Sequence, residues 1–254
     1  MAIGIEARSG IPQPSGASEL PPIPLIDKDI PLPNSMDGWK SVEITEVGEP
    51  LVSLNDFSRG FPIVLEPRYF LQGIVGASQE IFLREGAALK LAEASKKLPT
   101  GHWLIVYDGY RPFNVQSAIF ESYRLALESL HPDLSREEII KMTERYVSFP
   151  SVDPTKPSPH LTGGAIDLSV LDTNGNALDM GTVWDSFDIE SQTAHFRESN
   201  VSLHSNRRIL YDAMTEAGFS NYPEEWWHFD YGNQFWAHLQ GQKAIYGLAF
   251  EGGE

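Results

Sequence analysis

A single domain mixing helices with strands is what this sequence predicts, and three observations predict it. Apolar residues recur at helical spacing in separate stretches, as with Ile209, Leu210, Ala213 and Met214. Short apolar runs rich in β-forming residues, such as Trp103-Leu104-Ile105-Val106-Tyr107, lie between them. The chain has 254 residues, 41% of them hydrophobic, enough to bury one large core, and no internal repeat divides it.

Residues 1–35 carry Pro12, Pro14, Pro21, Pro22, Pro24, Pro31 and Pro33 without helical or strand period, which predicts an extended arm or tail ahead of one domain over 36–254. Val42, Ile44, Leu51 and Val52 suggest short strands, and Asp56 to Pro67 reads as a loop. Ser78 would cap a helix over 79–98 with Ile81, Phe82, Leu89 and Ala92 on its apolar stripe, stopped by Pro99-Thr100-Gly101. The strand over 103–107 then delivers Asp108-Gly109-Tyr110-Arg111-Pro112 to its carboxyl end. A helix is expected over 115–130, and Ser135 with Glu138 forms a capping box for another. A proline-rich loop over 149–159 leads to His160. Alternation over 165–171 predicts a half-buried strand with Ile166, Leu168 and Val170 on one face and Asp167 on the other. After a turn at 172–176 and an irregular stretch over 178–188, a helix over 206–217 ends at Gly218, and Trp226 to Tyr231 forms the last strand.

Composition narrows the chemistry. With 35 acidic against 19 basic residues the formal charge is −16, a field that repels nucleic-acid phosphates and anionic membranes, so neither is expected as a partner. An anionic group on a substrate would need a local Arg or Lys. No cysteine is present, so any metal must be held by His and carboxylate. No window approaches the ~20 apolar residues of a membrane span, and the first residues lack a basic segment followed by an apolar run, from which a soluble cytoplasmic protein is expected.

Three motifs carry chemistry. Ser158-Pro159-His160-Leu161-Thr162-Gly163-Gly164-Ala165-Ile166-Asp167 sets an imidazole and a carboxylate at the two ends of a glycine turn, and Glu225-Trp226-Trp227-His228 adds a second imidazole and a free carboxylate. A catalytic zinc takes three protein ligands and leaves a position for water, whose pKa it lowers toward ~7. His160, Asp167 and His228 supply that count, with Glu225 as a base, provided the chain bends between Pro223 and Trp227 so that positions 225 and 228 face one point. Arg111, oriented by Asp108, is suited to stabilise an oxyanion. Singly each residue has an ordinary explanation: His160 as a structural hydrogen-bonder, Asp167 as a turn cap, Arg111 as a surface ion-pair partner. Their conjunction is what argues for an enzyme. Of the other histidines, His195 is the one placed to enter the site.

The order of Tyr107-Asp108-Gly109-Tyr110-Arg111-Pro112, the His160 to Asp167 motif, Asp179-Met180-Gly181-Thr182 and Glu225-Trp226-Trp227-His228 resembles the zinc D-alanyl-D-alanine dipeptidases related to the vancomycin-resistance dipeptidase, over roughly residues 52–231. The resemblance implies an α+β fold of the hedgehog and D,D-peptidase kind, with a central antiparallel sheet and flanking helices. It implies one zinc ion per chain on His160, Asp167 and His228, Glu225 as base, Arg111 as transition-state stabiliser, and a small dipeptide as substrate. Ser158 and Asp185 fall where the family holds the substrate ammonium, and Asp108 stands with them as a substrate-side group. The segment near Leu51 lacks a Tyr that would line the pocket. The alternatives are a D,D-carboxypeptidase or endopeptidase acting on longer peptides and a zinc-stabilised binding module without turnover. Absence of an export signal favours the dipeptidase.

Overall fold

The computed structural model describes residues 29–32, 35–186 and 188–250. The arm expected over residues 1–35 therefore lies largely outside the described residues. Its described end packs on the domain: Ile30 is buried, and Arg208 donates to the Asp29 carbonyl at 2.6 Å.

In chain order the elements are β1 (Leu51–Ser53), α1 (Leu54–Phe57), β2 (Ile63–Leu65), α2 (Arg68–Leu71), β3 (Phe82–Arg84), α3 (Glu85–Ser95), β4 (Trp103–Asp108), α4 (Phe113–Leu130), α5 (Arg136–Glu144), β5 (Ala165–Leu171), α6 (Val201–Glu216), β6 (Ser220–Asn221), β7 (His228–Asp230) and α7 (Gln234–Gln240). The main sheet runs β2-β4-β5-β7-β6, and β1 pairs with β3 in a separate antiparallel ribbon. The α+β class holds, but the sheet is mixed: β2 lies parallel to β4, and the other pairs are antiparallel. The loop expected over 56–67 hides β2, because Ile63-Val64-Leu65 is too short a run to show a period.

Local signals explain most element ends. In α5 the backbone N–H of Ser135 donates to Glu138 Oε2 at 2.8 Å while that of Glu138 donates to Ser135 Oγ at 3.3 Å, the reciprocal capping expected. The helix expected over 79–98 begins later, at Glu85. Ile81 and Leu83 are buried at alternate positions and Leu83 pairs with Val52, so period-two burial at this edge overrides helix propensity. Helix α6 starts five residues before the expected 206, since Asn200 accepts from the Leu203 N–H at 3.1 Å and caps it there. Strand β5 spans the expected residues but is buried along its whole length, because elements cover both faces. The core of Leu83, Leu91, Leu104, Val106, Ile166, Leu168, Leu210 and Phe229 lies between this sheet and the helices, and it fixes the strand ends on which the site is built.

Candidate metal centre

Strand pairing assembles the site. Asp108 on β4 is opposite Asp167 on β5, and Asp167 is opposite His228 on β7, so three polar side chains share one cross-strand row. A register irregularity between Val106 and Asp108 re-aims the end of β4, as a bulge does beside an active site. His160 comes from a 3₁₀ turn over Pro159–Thr162 that Gly163 closes at φ 70°, a left-handed conformation costly for any residue with a Cβ. Buried Arg84 holds this turn through its Nε to the Thr162 carbonyl at 2.9 Å. Gly109 has no room for a side chain: a Cβ would meet the Phe82 carbonyl at 2.6 Å. Its own carbonyl thereby reaches His160.

That contact sets the tautomer. His160 Nδ1 donates to the Gly109 carbonyl at 2.7 Å, leaving the Nε2 lone pair facing His228 Nδ1 at 3.3 Å and Asp167 Oδ1 at 3.5 Å. His228 Nδ1 is 3.1 Å from the same Asp167 oxygen. On the far side of its ring, His228 Nε2 lies 3.1 Å from Asp230 Oδ2, short of good hydrogen-bond alignment, and neither atom has another partner among the described residues. With a proton on Nε2, as that carboxylate favours, three lone pairs converge where no hydrogen can satisfy them all.

A cation resolves the arrangement. Four ligands tetrahedrally placed about 2.0–2.1 Å from a zinc ion lie about 3.3–3.4 Å from one another, and the three separations here are 3.1, 3.3 and 3.5 Å. All three side chains are buried, and their ligand atoms fall within 4.8 Å of one another. The residues present fit zinc. Burial alone would push Asp167 up, but His160 and His228 outweigh it and hold the carboxyl well below its usual range; burial opposes a charge on His228, yet Asp230 and Asp167 raise it. Bound metal would take the place of the shared protons.

Glu225 meets the geometric demand of the sequence. The chain turns between Tyr222 and His228, with the Glu225 N–H donating to the Tyr222 carbonyl at 3.1 Å and the His228 N–H to the Glu225 carbonyl at 3.3 Å. Buried Asn221 clamps the turn, its Nδ2 reaching the Glu225 and His228 carbonyls at 3.0 Å each while its Oδ1 accepts from Thr193 Oγ1 at 2.6 Å. Glu225 Oε2 is thereby set 3.9 Å from His228 Nδ1. Burial pushes its carboxyl up to about 8, with Asp167 and Asp185 adding to the rise.

Arg111 is buried and held by three hydrogen bonds. Its Nε and Nη2 donate to Asp108 Oδ2 at 3.0 and 2.7 Å, its Nη1 donates to Gln116 Oε1 at 2.7 Å, and Nη2 lies 3.9 Å from Asp167 Oδ2. Asp108 thus orients the guanidinium, as expected. Ser158 Oγ donates to the Phe149 carbonyl at 2.7 Å, which leaves its lone pairs open to a donor. Asp185 is the one non-glycine with positive φ among the described residues, at 63°, and such strain is found where function over-determines the backbone. Burial raises its carboxyl to about 7, helped by Asp167. Its loop is tied to α6 by Arg207, whose Nε, Nη1 and Nη2 donate to the carbonyls of Met180, Gln192 and Glu190.

Other groups at the site have no motif of their own. Tyr69 on α2 donates to Asp185 Oδ2 at 3.1 Å, and so an aromatic hydroxyl enters from an element other than the segment near Leu51. Trp184 Nε1 donates to the outer oxygen of Asp167 at 3.3 Å. Gln116 and Asp230 were equally silent in the sequence, and only their offsets of five and two from Arg111 and His228 hinted at them. His195 stands elsewhere, stacked edge-on against Phe196 at 4.8 Å beside a cavity of about 400 Å³. Trp226 and Trp227 are buried wall and core. The catalytic cavity, of about 60 Å³, is lined by Tyr69, Arg111, His160, Asp185, Glu225 and His228 among others.

Known proteins resemble this chain in sequence. The D-alanyl-D-alanine dipeptidase of Synechocystis sp. is 30% identical over 230 residues, covering 81% of this chain and 91% of that protein. That of Escherichia coli is 34% identical over 133 residues, 52% of this chain and 56% of its own. That of Enterococcus faecium is 34% identical over 138 residues, 51% and 62%. The model of the Peptidase M15 family, described as D-ala-D-ala dipeptidase, matches residues 70–243, a span that holds every ligand of the metal centre along with Arg111 and Glu225. By that match and by the length of the Synechocystis alignment, the chain belongs to the D-Ala-D-Ala dipeptidase family of metallopeptidases.

Proposed function

We propose that this chain hydrolyses the amide bond of D-alanyl-D-alanine or a similar D,D-dipeptide, with one zinc ion held by His160, Asp167 and His228. The observation that carries the proposal is the convergence of three lone-pair donors at ligand spacing beside a carboxyl that coordinates nothing, Glu225, set 3.9 Å from the His228 ligand atom. When bound, zinc polarises the scissile carbonyl and acidifies water. Glu225 takes the proton of the attacking water and delivers it to the leaving amine. Arg111, held rigid by Asp108 and Gln116, faces the charge that grows on the carbonyl oxygen, a contribution of about 3 kcal/mol or more in a site shielded from water. His228 is kept in its ligating tautomer by Asp230, and His160 by Gly109.

Ser158 and Asp185 are the groups proposed for the substrate ammonium, with Tyr69 beside them. The narrow cavity suits alanine side chains. Offered D-Ala-D-Ala and its N-acetyl analogue, the zinc-loaded enzyme should cleave the first at least about 100-fold more efficiently, since the acetylated end leaves Asp185 without its charged partner. Equal cleavage would place the chain with D,D-carboxypeptidases acting on longer peptides, and zinc-loaded protein releasing no D-alanine would make it a binding module.

Asp185→Asn tests the ammonium assignment separately. Asparagine tolerates the left-handed backbone, so the fold should persist. At pH 8 the KM for D-Ala-D-Ala is expected to rise about tenfold or more, with a smaller change in kcat. The raised carboxyl also has a stability consequence. Its folded pKa of about 7 exceeds the ordinary value of 3.8, so its contribution is complete below the latter and is lost as pH rises through about 7. Melting curves of metal-free protein between pH 4 and 8 should therefore fall less steeply in the variant than in the wild type.

A further inference from the structure

The turn that carries Glu225 is bordered by three cavities. Tyr222 and Glu225 line the catalytic cavity of about 60 Å³, and Pro223 and Glu224 line two larger ones, of about 490 and 400 Å³. Where open space borders a segment, packing constrains it less and hydrogen bonds carry more of its positioning. The precision needed is high, since a misplacement of about 1 Å can cost a reacting group about 10²-fold in rate.

Those hydrogen bonds come from residues 191–193 and from Asn221. The Thr193 N–H donates to the Pro223 carbonyl at 2.9 Å, and the Trp226 N–H to the Ser191 carbonyl at 3.0 Å. Arg207 anchors this segment, donating to the Glu190 and Gln192 carbonyls at 2.6 Å each. Thr193 Oγ1 donates to Asn221 Oδ1 at 2.6 Å, and both residues are buried. With a hydroxyl on Oδ1, the two amide N–H groups are left for the Glu225 and His228 carbonyls, each at 3.0 Å. The opposite orientation of the amide would set Oδ1 against two carbonyl oxygens. Thr193 therefore decides which way Asn221 points, and Asn221 ties the backbone of the base to that of a metal ligand.

We propose that Asn221, oriented by Thr193, is the positioning residue for the general base, fixing Glu225 relative to His228. The inference rests on the role given to Glu225 above and adds what keeps that carboxyl in place. His228 is held independently, by the pairing of β7 with β5 that sets it opposite Asp167. Loss of the clamp thus falls on Glu225, and on kcat rather than on KM or zinc.

Asn221→Asp keeps the size of the side chain but turns an oxygen toward the two carbonyls; Thr193→Val removes the hydroxyl and Thr193→Ser keeps it. The first two should lower kcat on D-Ala-D-Ala by about 10- to 100-fold with KM within about threefold and zinc retained, and Thr193→Ser should stay within about twofold of wild type. In a Glu225→Gln background Asn221→Asp should change the residual kcat by no more than about twofold, because the group it positions is gone. A general structural loss would lower both backgrounds alike, and that result overturns the inference. Hydrogen exchange in the metal-free proteins reads the clamp without turnover. The amides of Glu225 and His228 should exchange at least about tenfold faster in Asn221→Asp and Thr193→Val, while those of α6 keep their wild-type rates. Unchanged exchange at both amides also overturns it. If zinc-loaded wild type releases no D-alanine yet the variants loosen these two amides selectively, the dipeptidase reading falls and the clamp stands; turnover that Asn221→Asp leaves at the wild-type kcat does the reverse.

Discussion

Glutamine in place of Glu225 lowers kcat on D-Ala-D-Ala by about 10³-fold, within the 10²–10⁴ range of a positioned acid–base group, while the protein keeps its zinc. The argument is geometric. Glu225 lies 3.9 Å from a ligand atom through one oxygen and has no role in coordination, so its amide isostere preserves packing and removes only the proton acceptor. The pH profile separates this from a structural loss. In the metal-free protein burial holds the carboxyl at about 8, against an ordinary 4.5, and a dication among the neighbouring ligands draws it back down. The wild-type kcat should rise with pH through a limb between those values as the base is freed, and the variant should lack that limb. A variant with near-normal kcat and an unchanged limb would remove Glu225 from the chemistry.

Alanine in place of His228 abolishes zinc retention and lowers activity by about 10⁴-fold or more, because water without the metal keeps a pKa near 15.7. The same change should destabilise the metal-free protein by about 3–5 kcal/mol, since it strands one end of a buried ion pair. Asp230 has no exposed surface, and although its Oδ1 accepts from Asn233 at 2.5 Å, its Oδ2 faces only His228. His160→Ala gives the contrast, losing zinc equally but leaving behind the Gly109 carbonyl and no buried charge of comparable isolation. Metal analysis after dialysis and thermal unfolding of the metal-free forms read the two effects apart. Equal melting temperatures for the two variants would discount the Asp230 pairing.

Much of the site could be read in advance because its chemistry is written in short motifs. His160, the glycine turn and Asp167 share one stretch, and a cysteine-free chain leaves imidazole and carboxylate as its metal ligands. The capping box of α5 and the buried run of β4 were equally local. Where local signals conflicted with tertiary burial they failed. Residues 82–84 fall within a stretch of helix-compatible spacing yet pair as β3, and Ile63-Val64-Leu65 is too short to reveal the parallel edge of the sheet. Tyr69, Gln116 and Trp184 reach the site from positions whose sequence neighbours say nothing of metal or substrate.

By itself the amino-acid order determined which side chains were chemically able to bind a cation, accept a proton or face an oxyanion, since those capacities belong to residue types and close spacings. Only the tertiary structure decided that they meet. The row of Asp108, Asp167 and His228 depends on the register of three strands drawn from more than a hundred residues of chain, and register is set by long-range pairing and core packing. The same burial gives Glu225 and Asp185 their raised pKa values, because desolvation and field exist only once the chain has closed around them.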